Sequence, residues 1–309
     1  MEKSRPRFNY RTKAYFYLLI VSIIWGIAAP VIKFTLSWFD PFLFLSYRLA
    51  ISSVIAVIIL VYKKQKLPTK PKSLFNIFLF SITSVTFALG LLFLGLNQTS
   101  AVTGSIISLV GPLILVLGGT YFFHDHVTKK ERFGILLALG GAMIIVFESM
   151  FTNKSMGTFL GNLLIIGATF SDKIAVLISK SSIRDKVKPV ILTQVSFIIG
   201  FFTIIPLAAA TGSFENGFKT IITAPLQAHF GVLYMAIISG SIGYFLFHHA
   251  LKSVEVSEAA VFSYLQPVWA VLLAILWLKE ELTIIHIISA VIISIGVFIA
   301  ETKKRINKN

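Results

Sequence analysis

Residues 108–117 read SLVGPLILVL and residues 263–272 read SYLQPVWAVL, and the register between these two stretches decides the fold. An ungapped shift of 155 residues lays Ser108 on Ser263, Pro112 on Pro267, Val116 on Val271 and Leu117 on Leu272. Upstream, Leu91 falls on Leu246 and Leu96 on Leu251. Downstream, Thr128 falls on Thr283 and Gly141 on Gly296, and an acidic position recurs as Asp125 and Glu280. Matches among Leu and Val are cheap in an apolar chain. A Ser, a Pro, an acid and a Thr that keep one register without a gap point to a duplicated unit.

The surroundings of the repeat identify its solvent. Of 309 residues, 56% are hydrophobic and 13% charged, whereas a soluble domain carries roughly 25% charged residues. So few charges cannot cover a water-facing surface, and lipid must be the solvent for most of it. Apolar runs long enough to span occur at 15–37, 41–62, 74–96, 100–123, 131–150, 157–179, 189–208, 229–251, 258–278 and 284–300. The first follows a cationic amino terminus and lacks a small-residue cleavage site, so it reads as a retained helix. The expected fold is all-α and integral to the membrane, with ten transmembrane helices.

The formal charge of +15 does not point to nucleic acid, because nearly every Lys and Arg lies in a short connector. Alternate connectors, starting at the amino terminus, hold 22 Lys and Arg, and the opposite set holds 4: Lys33, Lys154, Lys219 and Lys279. Cationic flanks mark the cytoplasmic side, so both termini are expected in the cytoplasm, with the chain a multi-pass protein of the cytoplasmic (inner) membrane. Two five-helix halves, 1–150 and 151–309, then enter the bilayer in opposite senses. Inverted repeats of this kind are a mark of secondary transporters.

The residues also resemble a known family. Ser22-Ile23-Ile24-Trp25-Gly26, Tyr47-Arg48-Leu49-Ala50-Ile51, the segment from Ser257-Glu258-Ala259-Ala260 to Tyr264-Leu265-Gln266-Pro267, and Leu278-Lys279-Glu280-Glu281-Leu282-Thr283 are, in this order and spacing, similar to the EamA family of the drug/metabolite transporter superfamily. The resemblance covers nearly the whole chain. It implies a ten-helix basket with a central cavity lined mainly by helices one, three, four, six, eight and nine, and it favours export. Three departures leave substrate transfer from relatives unsafe: Asp125 within His124-Asp125-His126, Gln266 before Pro267, and charges in Phe170-Ser171-Asp172-Lys173.

Several residues could carry the mechanism. Pro112 and Pro267 remove helical hydrogen bonds to the carbonyls of Ser108 and Ser263, which suggests a midplane binding site or a simple kink. Asp172 lies inside the sixth span, where an ionised carboxylate is costly. It suits binding of a cationic group or carriage of a coupling proton, and snorkelling with Lys173 is the structural alternative. Lys173 is a poor expected partner because helix neighbours diverge. His248 and His249 are proton-coupling candidates near a helix end, with a pairing to Asp172 as one form of relay and bonding to helix carbonyls as the alternative. Trp25, Phe87, Phe170, Tyr244 and Tyr264 are candidate cavity aromatics on the helices that the resemblance puts there. Arg48 is expected in a structural role at the extracellular rim near Asp40. Asp125 and Glu280 either lock two access states or cap neighbouring amides.

There is no Cys, no Walker A sequence, no H-E-x-x-H and no G-x-S-x-G, so no cofactor and no enzyme activity is expected. The expected function is secondary transport of a small polar metabolite, an amino acid or related amine, by alternating access. The competing reading is a membrane enzyme acting on a lipid-linked substrate, hinted at only by His124-Asp125-His126. Expected partners are the substrate and the bilayer, with monomer and homodimer both open.

Overall fold

The computed structural model describes residues 7–115, 118, 129–151 and 157–301, and every regular element among them is helical. In chain order these are α1 (Arg7–Thr35), α2 (Pro41–Tyr62), α3 (Pro71–Gln98), α4 (Ala101–Leu115), α5 (Lys129–Phe151), α6 (Phe159–Arg184), α7 (Pro189–Ala210), α8 (Leu226–Ala250), α9 (Glu258–Leu278) and α10 (Ile284–Glu301). A short helix, Gly217–Thr223, lies in the connector before α8. Local sequence sets the starts. Asp40 accepts the Phe42 and Leu43 amides, Ser100 accepts Thr103 N–H, and Thr158 accepts Gly161 N–H. Proline occupies the first turn of α2, α3 and α7, where its missing donor costs nothing.

Helices α1, α2, α3, α6, α7, α8 and α9 are each long and apolar enough to cross a bilayer, while Ala101–Leu115 and Ile284–Ala300 are shorter apolar helices. The protein is therefore a helical, multi-pass membrane protein. Its main packing pairs are α5 with α10, α3 with α6, α2 with α7, α3 with α7, and α1 with both α8 and α9. Between apolar helices in lipid, van der Waals contact must replace the hydrophobic drive, so small residues sit where backbones approach. Gly26 is such a point: a Cβ there would lie 2.7 Å from Gln266 O and from Trp269 Cβ. Gly134, Gly141 and Gly296 form the equivalent seam between α5 and α10.

Four helices are locally irregular. Ile82–Leu89 in α3 and Tyr234–Gly243 in α8 are π-helical. Ser108–Val110 in α4 is 3₁₀, and α9 is interrupted between Ser263 and Gln266. Both breaks stand at the serines four residues before Pro112 and Pro267, where the ring excludes the helical hydrogen bond. Such departures from regular winding concentrate at functional sites.

Candidate functional site

A cavity of about 170 Å³ lies at the centre, where the irregular stretches meet. Its wall comprises Trp25 and Gly26 from α1, Arg48 from α2, Leu92 and Leu96 from α3, and Ser105 and Ser108 from α4. Thr169, Asp172 and Lys173 of α6, Ser239 and Tyr244 of α8, and Ser263, Gln266 and Pro267 of α9 complete it. The resemblance implied six lining helices; Arg48 adds α2.

The π-helical turns expose backbone acceptors that neighbours use. Trp25 Nε1 donates to Ser239 O at 3.1 Å from one side, and Ser171 Oγ donates to Thr83 O at 2.7 Å from the other. The Trp25 ring also packs edge-on against Tyr244, with centroids 5.1 Å apart, and the Tyr244 hydroxyl is 3.3 Å from Ser84 Oγ. These contacts hold one aromatic corner of the cavity in place.

Lys173 Nζ lies 2.7 Å from Asp172 Oδ2. The expectation that these neighbours diverge fails because only their Cβ directions differ; the flexible four-carbon stem of lysine turns its ammonium back. The pair is asymmetric, with the Lys173 side chain 12% exposed and that of Asp172 38% exposed. Gly111 gives the lysine stem room, since a Cβ there would lie 2.6 Å from Lys173 Cε.

Arg48 corrects a second expectation. It is not at the rim beside Asp40, which instead caps α2 and accepts from Ser213 Oγ. It is 1% exposed, sits in the cavity wall, and has its guanidinium 5.8 Å from the centre of the Phe93 ring. None of its three side-chain nitrogens has a hydrogen-bond partner among the described residues.

Other candidates lie elsewhere. Phe87 and Phe170, 55% and 54% exposed, face outward and not into the cavity. Pro112 is buried behind the wall. Tyr264 lines a lateral groove between α9 and α10 together with Pro267 and His286. His248 is buried outside the cavity, with Nδ1 2.8 Å from Thr193 Oγ1 and its ring against Phe80. His249 Nδ1 lies 3.1 Å from Phe245 O, so the recorded ring contacts of both histidines are with groups other than Asp172.

Glu280 caps amides. Its two carboxylate oxygens accept Ala101 N–H at 2.9 Å and Val102 N–H at 2.8 Å, which closes the start of α4. Asp125, its repeat counterpart, lies outside the described residues, as do His124 and His126. An anion on the free amides of a helix start contributes about 1–2 kcal/mol. Glu280→Ala is accordingly expected to lower the thermal midpoint of the detergent-solubilised protein, with Glu280→Gln intermediate; scanning fluorimetry reads this directly. Two lysines do the converse job. Lys33 Nζ donates to Leu96 O at 2.8 Å, and Lys180 Nζ donates to Leu251 O at 2.7 Å, each at a helix carboxyl end. From sequence alone both looked like loop flanks, although Leu96 and Leu251 were already matched by the repeat.

Comparisons agree with this architecture. A Bacillus subtilis (strain 168) protein described as uncharacterized transporter YyaM is 24% identical over 299 residues, covering 95% of each chain. A probable amino-acid metabolite efflux pump of Escherichia coli (strain K12) is 24% identical over 286 residues, covering 91% of this chain and 92% of that protein. A crystal structure with 15% sequence identity shares the fold at a TM-score of 0.62, covering 94% of this chain and 98% of the other. The sequence matches the EamA-like transporter family over residues 12–147 and 159–302, and with helices gathered across that same span about a cavity that holds an ion pair and a buried arginine, the chain belongs to this family of membrane transporters, which are not enzymes.

Proposed function

We propose that the protein is a secondary transporter that moves a small polar metabolite, an amino acid or a related amine, across the cytoplasmic membrane, in the export direction. The observation that carries this reading is the central cavity, where an intramembrane ion pair lies beside two helices broken at matching serines. The E. coli relative, by its description, supports both the substrate class and efflux.

The working parts are two inverted five-helix units, 1–150 and 151–309, that rock about the cavity, with both termini in the cytoplasm. Three observations support the duplication. The π-helical stretches of α3 and α8 overlap when shifted by 155 residues. Under the same shift the seam contacts exchange partners: Gly141 meets Ile293, and Gly296 meets Ala138. The family match likewise falls in two segments, one on each half. A symmetric pair of units has two similar-energy arrangements, one open to each face. The charge asymmetry of the connectors supports the orientation.

The test is counterflow. Liposomes holding the purified protein and preloaded with unlabelled amino acids are expected to accumulate the matching labelled amino acid transiently, while protein-free liposomes do not. Absence of counterflow across the standard amino acids and their decarboxylated amines would remove this substrate class.

A further inference from the structure

We propose that Arg48 is the anion anchor of the central cavity, and that the transported molecule is a small α-amino acid that presents its carboxylate to it. This rests on the cavity being the transport site, and it narrows the substrate class given above.

The inference follows from counting charges. Three charged side chains line the cavity: Arg48, Asp172 and Lys173. Asp172 and Lys173 already satisfy one another at 2.7 Å. Glu280 is committed to the α4 amides. Arg48 is left as a fully buried guanidinium whose Nε, Nη1 and Nη2 have no hydrogen-bond partner among the described residues. An unpaired buried charge is strongly unfavourable, and intramembrane arginines are found paired or facing a water-filled cavity. Among the described residues none supplies a counter-ion to Arg48, which leaves that role to the occupant of the cavity.

Geometry narrows the anion. A guanidinium is a planar fork that matches the two oxygens of a carboxylate. The Phe93 ring, 5.8 Å from its carbon, packs against it and helps to hold it in place. A cavity of about 170 Å³ is small, since one of about 150 Å³ holds benzene. A short α-amino acid fits these limits. With its carboxylate on Arg48, its ammonium competes with Lys173 for the half-open Asp172. A simple amine offers Arg48 nothing and adds a second positive charge, so amines without a carboxylate are not carried.

The test uses the purified protein in detergent. Thermal shift and calorimetric titration are run with the standard α-amino acids, then with the carboxamide and the decarboxylated amine of each binder. Free acids are expected to bind and stabilise, and their amides and amines not to. Arg48→Gln is expected to weaken acid binding at least about 30-fold, the usual minimum on removing one partner of a buried charged hydrogen bond, with Arg48→Lys intermediate. Amides or amines that bind as well as the acids would overturn the proposal. So would wild-type acid affinity in a folded Arg48→Gln protein, binding of no amino acid at all, or equal stabilisation by chloride or phosphate. The acid-against-amide comparison needs only the wild-type protein, so a misfolded variant does not blunt it. Counterflow of amines that is indifferent to Arg48 would overturn the anchor and leave transport standing. An acid that binds through Arg48 but never crosses would do the reverse.

Discussion

Asp172→Asn is expected to lower the initial rate of counterflow at least about tenfold, because it removes the one anionic partner that the Lys173 ammonium has among the described residues. Breaking a buried pair costs about 3–5 kcal/mol when the remaining charge has no solvent; the remaining Lys173 ammonium is only 12% exposed but lines the cavity, where water and the introduced amide oxygen recover part of this. Stability should therefore fall less than transport. The double variant Asp172→Asn/Lys173→Met separates the two roles. With neither charge present the desolvation penalty disappears, and the melting midpoint should return to the wild-type value. Transport should stay low if the carboxylate meets a substrate ammonium or a coupling proton. Full transport by the double variant would make the pair purely structural and would remove Asp172 from the mechanism.

Gly296→Val is expected to abolish recovery of monodisperse, folded protein. A Cβ at Gly296 would lie 2.6 Å from Ala138 N and Gly134 O, and both of these are backbone atoms that no rotamer change can move. Helices α5 and α10 would have to separate, and theirs is one of the main packing pairs of the bundle. Overpacking costs about 1–3 kcal/mol where side chains can yield, and more is expected where only backbones can. Total stabilities of about 5–15 kcal/mol leave little reserve. Gly140→Ala on the same helix is the control, since nothing lies within 4 Å of its added Cβ. It should be neutral or slightly stabilising, because alanine is the better helix former. Size-exclusion profile and melting midpoint read both variants, and a well-folded Gly296→Val protein would show that the seam is not needed.

Much of this was legible before any coordinate. Apolar runs bounded by Lys and Arg marked the membrane class, and the shared register of Ser108-Pro112 with Ser263-Pro267 located the two helix breaks. Proline acts on its own helix, so its effect travels with the residue. Asp172 and Lys173 stood out for a related reason: a charge within an apolar run is costly wherever the helix turns.

What the sequence alone determined, then, were the properties that reside in one helix at a time: its span, its break and the presence of a charge. The tertiary structure decided which way each helix faces. In lipid the outer surface is as apolar as the packed interior, so hydrophobicity carries no inward direction, and Phe87 and Phe170 could not be told from Trp25. It also decided which groups meet. Arg48 reached the cavity wall instead of the rim, Lys173 folded back onto Asp172, and Lys33, Lys180 and Glu280 closed the ends of helices far away in the chain. Long side chains reach partners that only the packing of helices brings within range, and no local pattern encodes that distance.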